Sequence, residues 1–373
     1  MSTAALMSPE KSNPSSSSSP WLMLQPVYEA GATCTAATTL TYKFYNMAED
    51  RVMTLWVSPP GDLMKFRGSS GGGWLSLVQR RTRDLLLYNP IARRHMKLPP
   101  FYGLYDYLAL HKSILSCSPD SEKCVAVSLI CFENSMAVCC PLSSDKWTWF
   151  GTCSGNNYYI DCVYSTSQQI LFALTDSYQL EAWDLTVASP QLTRIMGEFS
   201  SILRREVNSK KKELLQSRDD LTCWHHYHLV VAGEDLLVVT QYTMLSVDWD
   251  GLYVDFNYSK GPPFELPSVT IDFDVHRYDP KDGDLKYVDG SCLGGWALFV
   301  GNNSQSFALR SPELKPNSIY FTDPLESSIN QGNHDIGIFS YEDKTVSPCY
   351  YPCDPANLKP IFPPPIWFFP SSF

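Results

Sequence analysis

Short apolar runs separated by turn residues recur along almost the whole chain, and a 3.6-residue apolar period is nearly absent. Runs rich in β-branched and aromatic residues lie at 40–46, 52–57, 74–79, 85–88, 124–130, 136–140, 158–164, 170–174, 180–185, 227–231, 236–242 and 269–278. With turn signals between them, they predict β-strands. A C-terminal set follows. Its clearest members are residues 297–300, ended by Gly301-Asn302-Asn303, and residues 318–322, ended by Asp323-Pro324. The pattern is that of an all-β chain.

The runs also repeat as a unit: an apolar strand, a polar turn, a strand ending in an aromatic followed by Asn, Asp or Glu, then a short strand containing Trp, Leu or Pro. Copies begin at Trp74, Val125, Ile170 and Ile336. Self-similar strand modules of roughly 40 to 50 residues imply a β-propeller, because one blade cannot bury both of its faces and radial stacking does that for it. About 45 residues per blade predicts about seven short-stranded blades, with six as the alternative.

Two segments break the pattern. Residues 198–220 set Lys210, Lys211 and Lys212 beside Glu206 and Glu213, which reads as a solvated loop. Ile202, Leu203, Val207 and Leu214 offer a short helical face as the alternative. The tail PIFPPPIWFFP, residues 360–370, holds too many prolines for a central strand. Its aromatics are expected on the propeller edge, or in an exposed docking segment. The chain thus divides into a disordered Ser-rich tail at 1–20, a propeller at 21–355 and a Pro/aromatic tail at 356–373.

Composition narrows the function. The chain is 44% hydrophobic and 13% aromatic, enough for a large core, and its 29 basic against 39 acidic residues give net −10. That balance argues against sequence-independent nucleic-acid binding, which needs surplus Lys and Arg to displace phosphate counterions. Twelve cysteines contain no CxxC pair, so most read as small buried hydrophobes of a reducing compartment. Ser15 to Ser19 lie between Pro14 and Pro20 with no apolar stretch, so neither a secretory signal nor a membrane span is expected there. The expected location is cytoplasm or nucleus, with an organelle as the alternative given the faintly transit-like start. Asn257 and Asn302 fit the glycosylation acceptor pattern, which matters only on the secretory route.

Candidate chemistry is sparse. Gly68-Ser69-Ser70-Gly71-Gly72 matches the GxSxG pattern of a hydrolase nucleophile elbow, but that elbow needs a helix after the turn and a strand is predicted from Trp74. A glycine-rich blade turn is the simpler reading. Trp224-His225-His226-Tyr227-His228 would place His226 and His228 on one strand face with Cys223 on the other, so a metal would lack its third ligand. Asp161, Asp176, Asp184, Asp272 and Asp274 are read as turn carboxylates. No cofactor-binding motif is present.

Several segments, in order, resemble a known family. They include Pro20-Trp21-Leu22-Met23-Leu24, Gly73-Trp74-Leu75, Leu87-Tyr88-Asn89-Pro90, SCSPDSEKCVAV from Ser116, VVAGEDLLVV from Val230 and FDVHRY from Phe273. Most specific are Leu298-Phe299-Val300-Gly301, Asn317-Ser318-Ile319-Tyr320-Phe321-Thr322-Asp323 and Gly337-Ile338-Phe339. Over almost its whole length the chain resembles the plant F-box-associated proteins with the DUF295 domain, the KIB1-4 β-propeller family. The resemblance implies a non-enzymatic module that presents target proteins. In F-box members an N-terminal F-box docks to the Skp1 adaptor of a cullin ubiquitin ligase. Residues 1–20 have neither the Leu-Pro start nor the helical periodicity of an F-box, so Skp1 and cullin binding by this polypeptide alone is not expected.

The expected partner is therefore a protein of unknown identity, with no nucleic acid and no membrane. Tyr102, Tyr105 and Tyr107 are candidate interface residues because tyrosine is enriched at binding hot spots; packing of that loop on its own blade is the alternative. Two other readings remain: a propeller that binds a small ligand or metal, or acts as an enzyme, in its central channel, and a truncated F-box receptor whose upstream exon is missing.

Overall fold

The structure, a computed structural model, describes residues 19–27, 40–57, 64–79, 84–101, 110–130, 134–151, 157–187, 189–215, 222–245, 268–289, 293–301, 305–324, 335–348 and 365–370. Their strands form six sheets arranged as the blades of a propeller. Blade one contains β1 (Trp21–Val27), β2 (Leu40–Asn46) and β3 (Arg51–Val57). Blade two contains β4 (Met64–Ser70), β5 (Trp74–Gln79), β6 (Leu85–Asn89) and β7 (Arg94–Lys97). Blade three is β8 (Leu110–Leu115), β9 (Ala126–Ile130), β10 (Met136–Cys139) and β11 (Thr148–Phe150). Blade four is β12 (Tyr159–Ser165), β13 (Ile170–Thr175), β14 (Gln179–Asp184) and β15 (Gln191–Glu198).

Helix α1 (Ser200–Leu215) separates blade four from blade five, which is β16 (Thr222–Ala232), β17 (Asp235–Leu245), β18 (Ser268–Asp279) and β19 (Asp284–Tyr287). Blade six has five strands: β20 (Ala297–Val300), β21 (Phe307–Leu309), β22 (Ser318–Phe321), β23 (Gly337–Ser340) and β24 (Thr345–Pro348). There β21 folds back to the inner edge and β20 runs parallel to β22. The last strand, β25 (Ile366–Phe368), returns to blade one and pairs antiparallel with β1, Trp21 opposite Phe368 and Met23 opposite Ile366.

The ring has six blades, not seven. Blades take more chain than the 45-residue module because α1 and the segments 246–267 and 325–334 fall between strands. The proline-rich tail also departs from expectation, since Ile366–Phe368 is the inner strand of blade one. Its prolines lie outside the three paired residues, and the inner strand needs a ladder partner on one side only, which is where a proline-flanked strand is tolerated. The described propeller therefore extends into what reads in sequence as a separate tail beginning at residue 356. Residues 198–220 contain a helix where a solvated loop is the simpler reading, because a tertiary surface receives its apolar face. Leu203 packs among Leu180, Leu236 and Tyr278, and Val207 against Cys223 and Tyr242.

Strand alternation builds the core. Trp21 and Met23 face blade two beside Phe66 and Leu75, whereas Leu22 and Leu24 face blade six beside Phe299 and Tyr320. Each seam between neighbouring blades holds such a cluster, closing around the ring. A strand buried on both faces reads as a continuous apolar run, which is why the middle strands are so visible in sequence.

The aromatic-then-Asn or Asp ending of the third strand has a mechanism. Asn46 Oδ1 accepts from the backbone N–H of Ala48, Asn89 Oδ1 from Ile91 and Ala92, Asp184 Oδ1 from Thr186 and Asp279 Oδ1 from Lys281. The side chain thus mimics a backbone turn at the hairpin into the outer strand. Asn89 does more: its Nδ2 donates to Gly72 O at 2.8 Å, locking the outer hairpin of blade two to its inner turn. Asn89→Ala should cost about 1–3 kcal/mol, because it leaves buried groups unpaired, while Asn89→Asp should keep the turn and lose only the Gly72 bond. Urea midpoints of the two variants would check this; equal losses would locate the effect at the Gly72 bond alone.

Candidate functional site

The strands that line the axis are β4, β8, β12, β16, β21 and β25, the innermost of their sheets. Among those that the hydrophobic pattern misses are β4 and β8. MKFRGSS and LHKSIL carry charges and hydroxyls inside the strand, so the apolar run is broken although the backbone is extended.

Lys112 on β8 and Asp161 on β12 form a buried ion pair at 2.5 Å, with side chains 5% and 4% exposed. Asp161 Oδ2 also accepts from the backbone N–H of Leu229 on β16 at 2.7 Å, and Oδ1 from Cys162. One carboxylate thus joins blades three, four and five. Asp161 is therefore not a turn carboxylate. Neither are Asp272 and Asp274 on β18: Asp272 pairs with Lys210 of α1, and Asp274 accepts from the hydroxyls of Tyr242 and Tyr287. Asp176 and Asp184 do sit in turns, accepting from Tyr158 N and Thr186. Lone charges inside two apolar strands, one of each sign, are the sequence signal that could have paired Lys112 with Asp161.

The histidine run lies on β16. A chain of hydrogen bonds crosses blade five from His228 Nε2 to Gln241 Oε1 at 2.9 Å, then from Gln241 Nε2 to Thr270 Oγ1 at 2.7 Å. Thr270 in turn donates to Asp335 through both its hydroxyl and its backbone N–H. Because Gln241 spends its amide N–H on Thr270, its carbonyl accepts from His228, which places the imidazole proton on Nε2. Burial pushes the Asp335 carboxyl up to about 7, against the Thr270 hydrogen bonds that favour its charge. His226 Nε2 is buried without a hydrogen-bond partner. Burial, with the neighbouring His228 and His225, pushes His226 down to about 3, and burial with Lys211 pushes His225 down to about 4. Among the described residues no three His, Cys, Asp or Glu side chains are placed to hold a metal ion.

A depressed histidine pKa penalises the folded state when the proton is added. Neutral His226 is fully compatible with folding above pH 6.5, and stability is lost as pH falls from there towards 3. Asp335 acts in the opposite sense, binding its proton more tightly when folded and losing stability as pH rises towards 7. The His226→Gln variant isolates the first effect. Between pH 7 and pH 5 the parent should lose on the order of 2 kcal/mol more than the variant. Parallel stability curves across that window would contradict the assignment.

The serine of the GxSxG match is consumed structurally. Ser70 ends β4, a 3₁₀ turn at Gly71–Gly73 follows, and β5 begins at Trp74, so the geometry is strand, turn, strand. Its Oγ accepts from Leu115 N of blade three at 3.1 Å. The cysteines Cys124, Cys139, Cys162 and Cys223 are buried and unbridged, and burial raises all four thiols, Cys124 and Cys162 to about 12, so none is a ready nucleophile. Tyr102, Tyr105 and Tyr107 lie outside the described residues. The chain entering their segment is anchored by Phe101 stacked on Trp147 at 4.4 Å, with Trp147 Nε1 donating to Pro99 O.

At one mouth of the axis is a cavity of about 290 Å³. The residues that line it include Ser165, Val231, Gln305, Ser306, Phe307 and Phe369. The Gln305 backbone N–H donates to Ser69 O of β4 at 3.0 Å, so the segment leading into β21 is tied to blade two. Gln168 of blade four donates to Glu234 O of blade five on the rim. Sequence reasoning singled out none of these residues, because Ser and Gln in a loop carry no spacing signal.

The profile described as KIB1-4 beta-propeller matches residues 44–340. Among solved structures, the chain is similar to the Cps50 (Swd1) beta-propeller domain of Myceliophteria thermophila at 11% identity and a TM-score of 0.33, covering 87% of this chain and 99% of that one. It is also similar to a chain of a nidogen/laminin complex at 9% identity and a TM-score of 0.33, covering 72% of this chain and 92% of that one. No curated protein matches.

Proposed function

The chain belongs to the KIB1-4 β-propeller family, and from that premise we propose that it is a non-enzymatic interaction module whose rigid ring presents loops to a protein partner. The observation that carries this reading is how the axial charges are used. Lys112 and Asp161 neutralise each other and bond a third blade, and His228 is spent on Gln241. Groups so engaged hold blades in register, and among these described axial residues none is left as a general base beside a free nucleophile. A ring of short strands with buried seams is a stiff platform, and stiffness lowers the ordering cost of binding through its loops.

Affinity purification of the full chain from native tissue tests the reading. One reproducible protein partner, retained by the parent and lost on substitution of surface loops, is expected. Recovery of Skp1 and cullin with the chain would instead assign it a ligase role. Stoichiometric zinc or iron lost on His226→Ala would replace the interaction reading by a metal-dependent one.

A further inference from the structure

We infer that Cys117 and Cys124 are a redox-modification site, a dithiol at the end of the β8–β9 hairpin that closes to a reversible disulfide by exchange with a low-molecular-weight disulfide. The strand register carries the inference. β8 and β9 run antiparallel with Ser113 opposite Ser128, Ile114 opposite Val127 and Leu115 opposite Ala126. The pairing continues one step further, where Ser116 N donates to Val125 O at 2.9 Å and Val125 N donates to Ser116 Oγ at 3.0 Å. The next opposed residues are Cys117 and Cys124.

Both side chains lie on one face. Two positions on from Leu115 and Ala126, they share the cluster between blades two and three, where Leu115, Ala126 and Cys124 are buried and Cys117 packs against them. Directly opposed side chains of this hairpin touch, as the Ser113 and Ser128 hydroxyls do at 2.6 Å. Opposed residues of an antiparallel pair stand about 4.5–5.5 Å apart between Cα atoms, inside the range of about 4.4–6.8 Å that a disulfide spans. Cys124 Sγ already donates to Cys117 O at 3.2 Å, and its thiol is within hydrogen-bonding reach of the Cys117 thiol. Neither cysteine is bridged. Cys139 shares the cluster but stands opposite Ala126 and not Cys124, so it is not the expected partner.

Burial divides the roles. Cys117 is half-buried and Cys124 fully buried, and burial, with Cys117 beside it, pushes the Cys124 thiol up to about 12. Cys117 is therefore the attacking thiol and Cys124 the resolving one. Cys117 gives up its proton, bonds to one sulfur of the small disulfide and expels the other as a thiolate, which takes up that proton. Cys124 gives up its own proton, attacks the Cys117 sulfur and expels the second small thiol. Two electrons pass from the protein thiols to the small disulfide, and no other reactant is consumed. The fixed position of Cys124 offsets its small thiolate fraction. Between the two cysteines, Asp120 accepts from both terminal nitrogens of Arg94 on β7, at 2.8 and 2.6 Å. The disulfide would thus lock the base of a loop that reaches blade two.

Peptide mass mapping of the full chain tests this, with glutathione disulfide as the oxidant, native buffer and an N-ethylmaleimide quench. Trypsin cuts after Lys123, between the two cysteines, so the disulfide is read as peptide 113–123 joined to peptide 124–146. The joined pair is expected to be at least about ten-fold more abundant than any bridge from either residue to another cysteine, and to separate on dithiothreitol treatment. Cys124→Ala should stop at one glutathione on Cys117, and Cys117→Ser should leave Cys124 unmodified. Since Cys124→Ala alters a buried site, the reduced parent supplies a second measurement: N-ethylmaleimide should label Cys117 at least about ten-fold faster than Cys124. Absence of the joined pair, its formation only in denaturant, a bridge from Cys124 to Cys139 in its place, or equal labelling of the two thiols would overturn the inference.

Discussion

Trp367→Ala should destabilise the protein by about 3–5 kcal/mol, because it removes a large side chain from a packed seam together with its buried hydrogen bond. Trp367 is fully buried in the strand that closes the ring. Its indole meets Phe299 edge-on at 5.1 Å and Tyr320 at 6.2 Å, both on blade six, while Nε1 donates to Val300 O at 3.0 Å. One side chain therefore ties the last strand of the chain to the preceding blade, as β1 ties it to the first. Trp367→Phe retains most of the apolar contact and should lose about 0.5–1.5 kcal/mol, the worth of one hydrogen bond, because the Val300 carbonyl still accepts from Thr322 N. Urea unfolding of both variants separates packing from hydrogen bonding. A loss below about 1 kcal/mol for the alanine variant would mean that ring closure does not depend on this contact.

The second large effect lies at the axis. Asp161→Asn should cost about 3–5 kcal/mol, because Lys112 is left charged and buried without its partner. Asparagine can still accept from Leu229 N, but its amide N–H₂ then faces Lys112 and Cys162 N–H, so the loss combines the missing charge with one missing backbone bond. Lys112→Met should cost a similar amount by stranding Asp161. The double variant Lys112→Met/Asp161→Asn buries no unpaired charge and should be more stable than either single one. That non-additivity is the signature of direct coupling. Strictly additive losses in the double-mutant cycle would show that the two charges act independently, against a 2.5 Å separation.

Much of the ring is legible along the chain because its middle strands are buried on both faces. Residues 40–46, 74–79 and 297–300 coincide with β2, β5 and β20. Gly301, beside that last run, has a stereochemical reason to be glycine: a Cβ there would run into the Thr322 side chain of the neighbouring strand. The inner strands are less legible, since β4 and β8 trade apolar residues for Arg67, Ser69, Lys112 and Ser113, all of them buried. Outer strands such as β15, with Leu192 and Ile195 exposed, carry no burial pattern to read.

The candidate site was least visible of all. Asp161 and Lys112 are 49 positions apart, and Asp161 and Leu229 are 68 apart. Their meeting depends on how many residues each blade consumes, which no local pattern encodes.

Local chemistry therefore determined the strand grammar, the Asx turns at Asn46, Asn89, Asp184 and Asp279, and the resemblance carried by residues 296–323, since each depends on neighbours within a few positions. Blade number, the return of β25 to β1, the docking of α1 and the three-blade junction at Asp161 were decided only when the ring closed. Closure is a sum over the whole chain, and it brings together inner edges, so that Asp161 meets Lys112 and Leu229 of the two neighbouring blades.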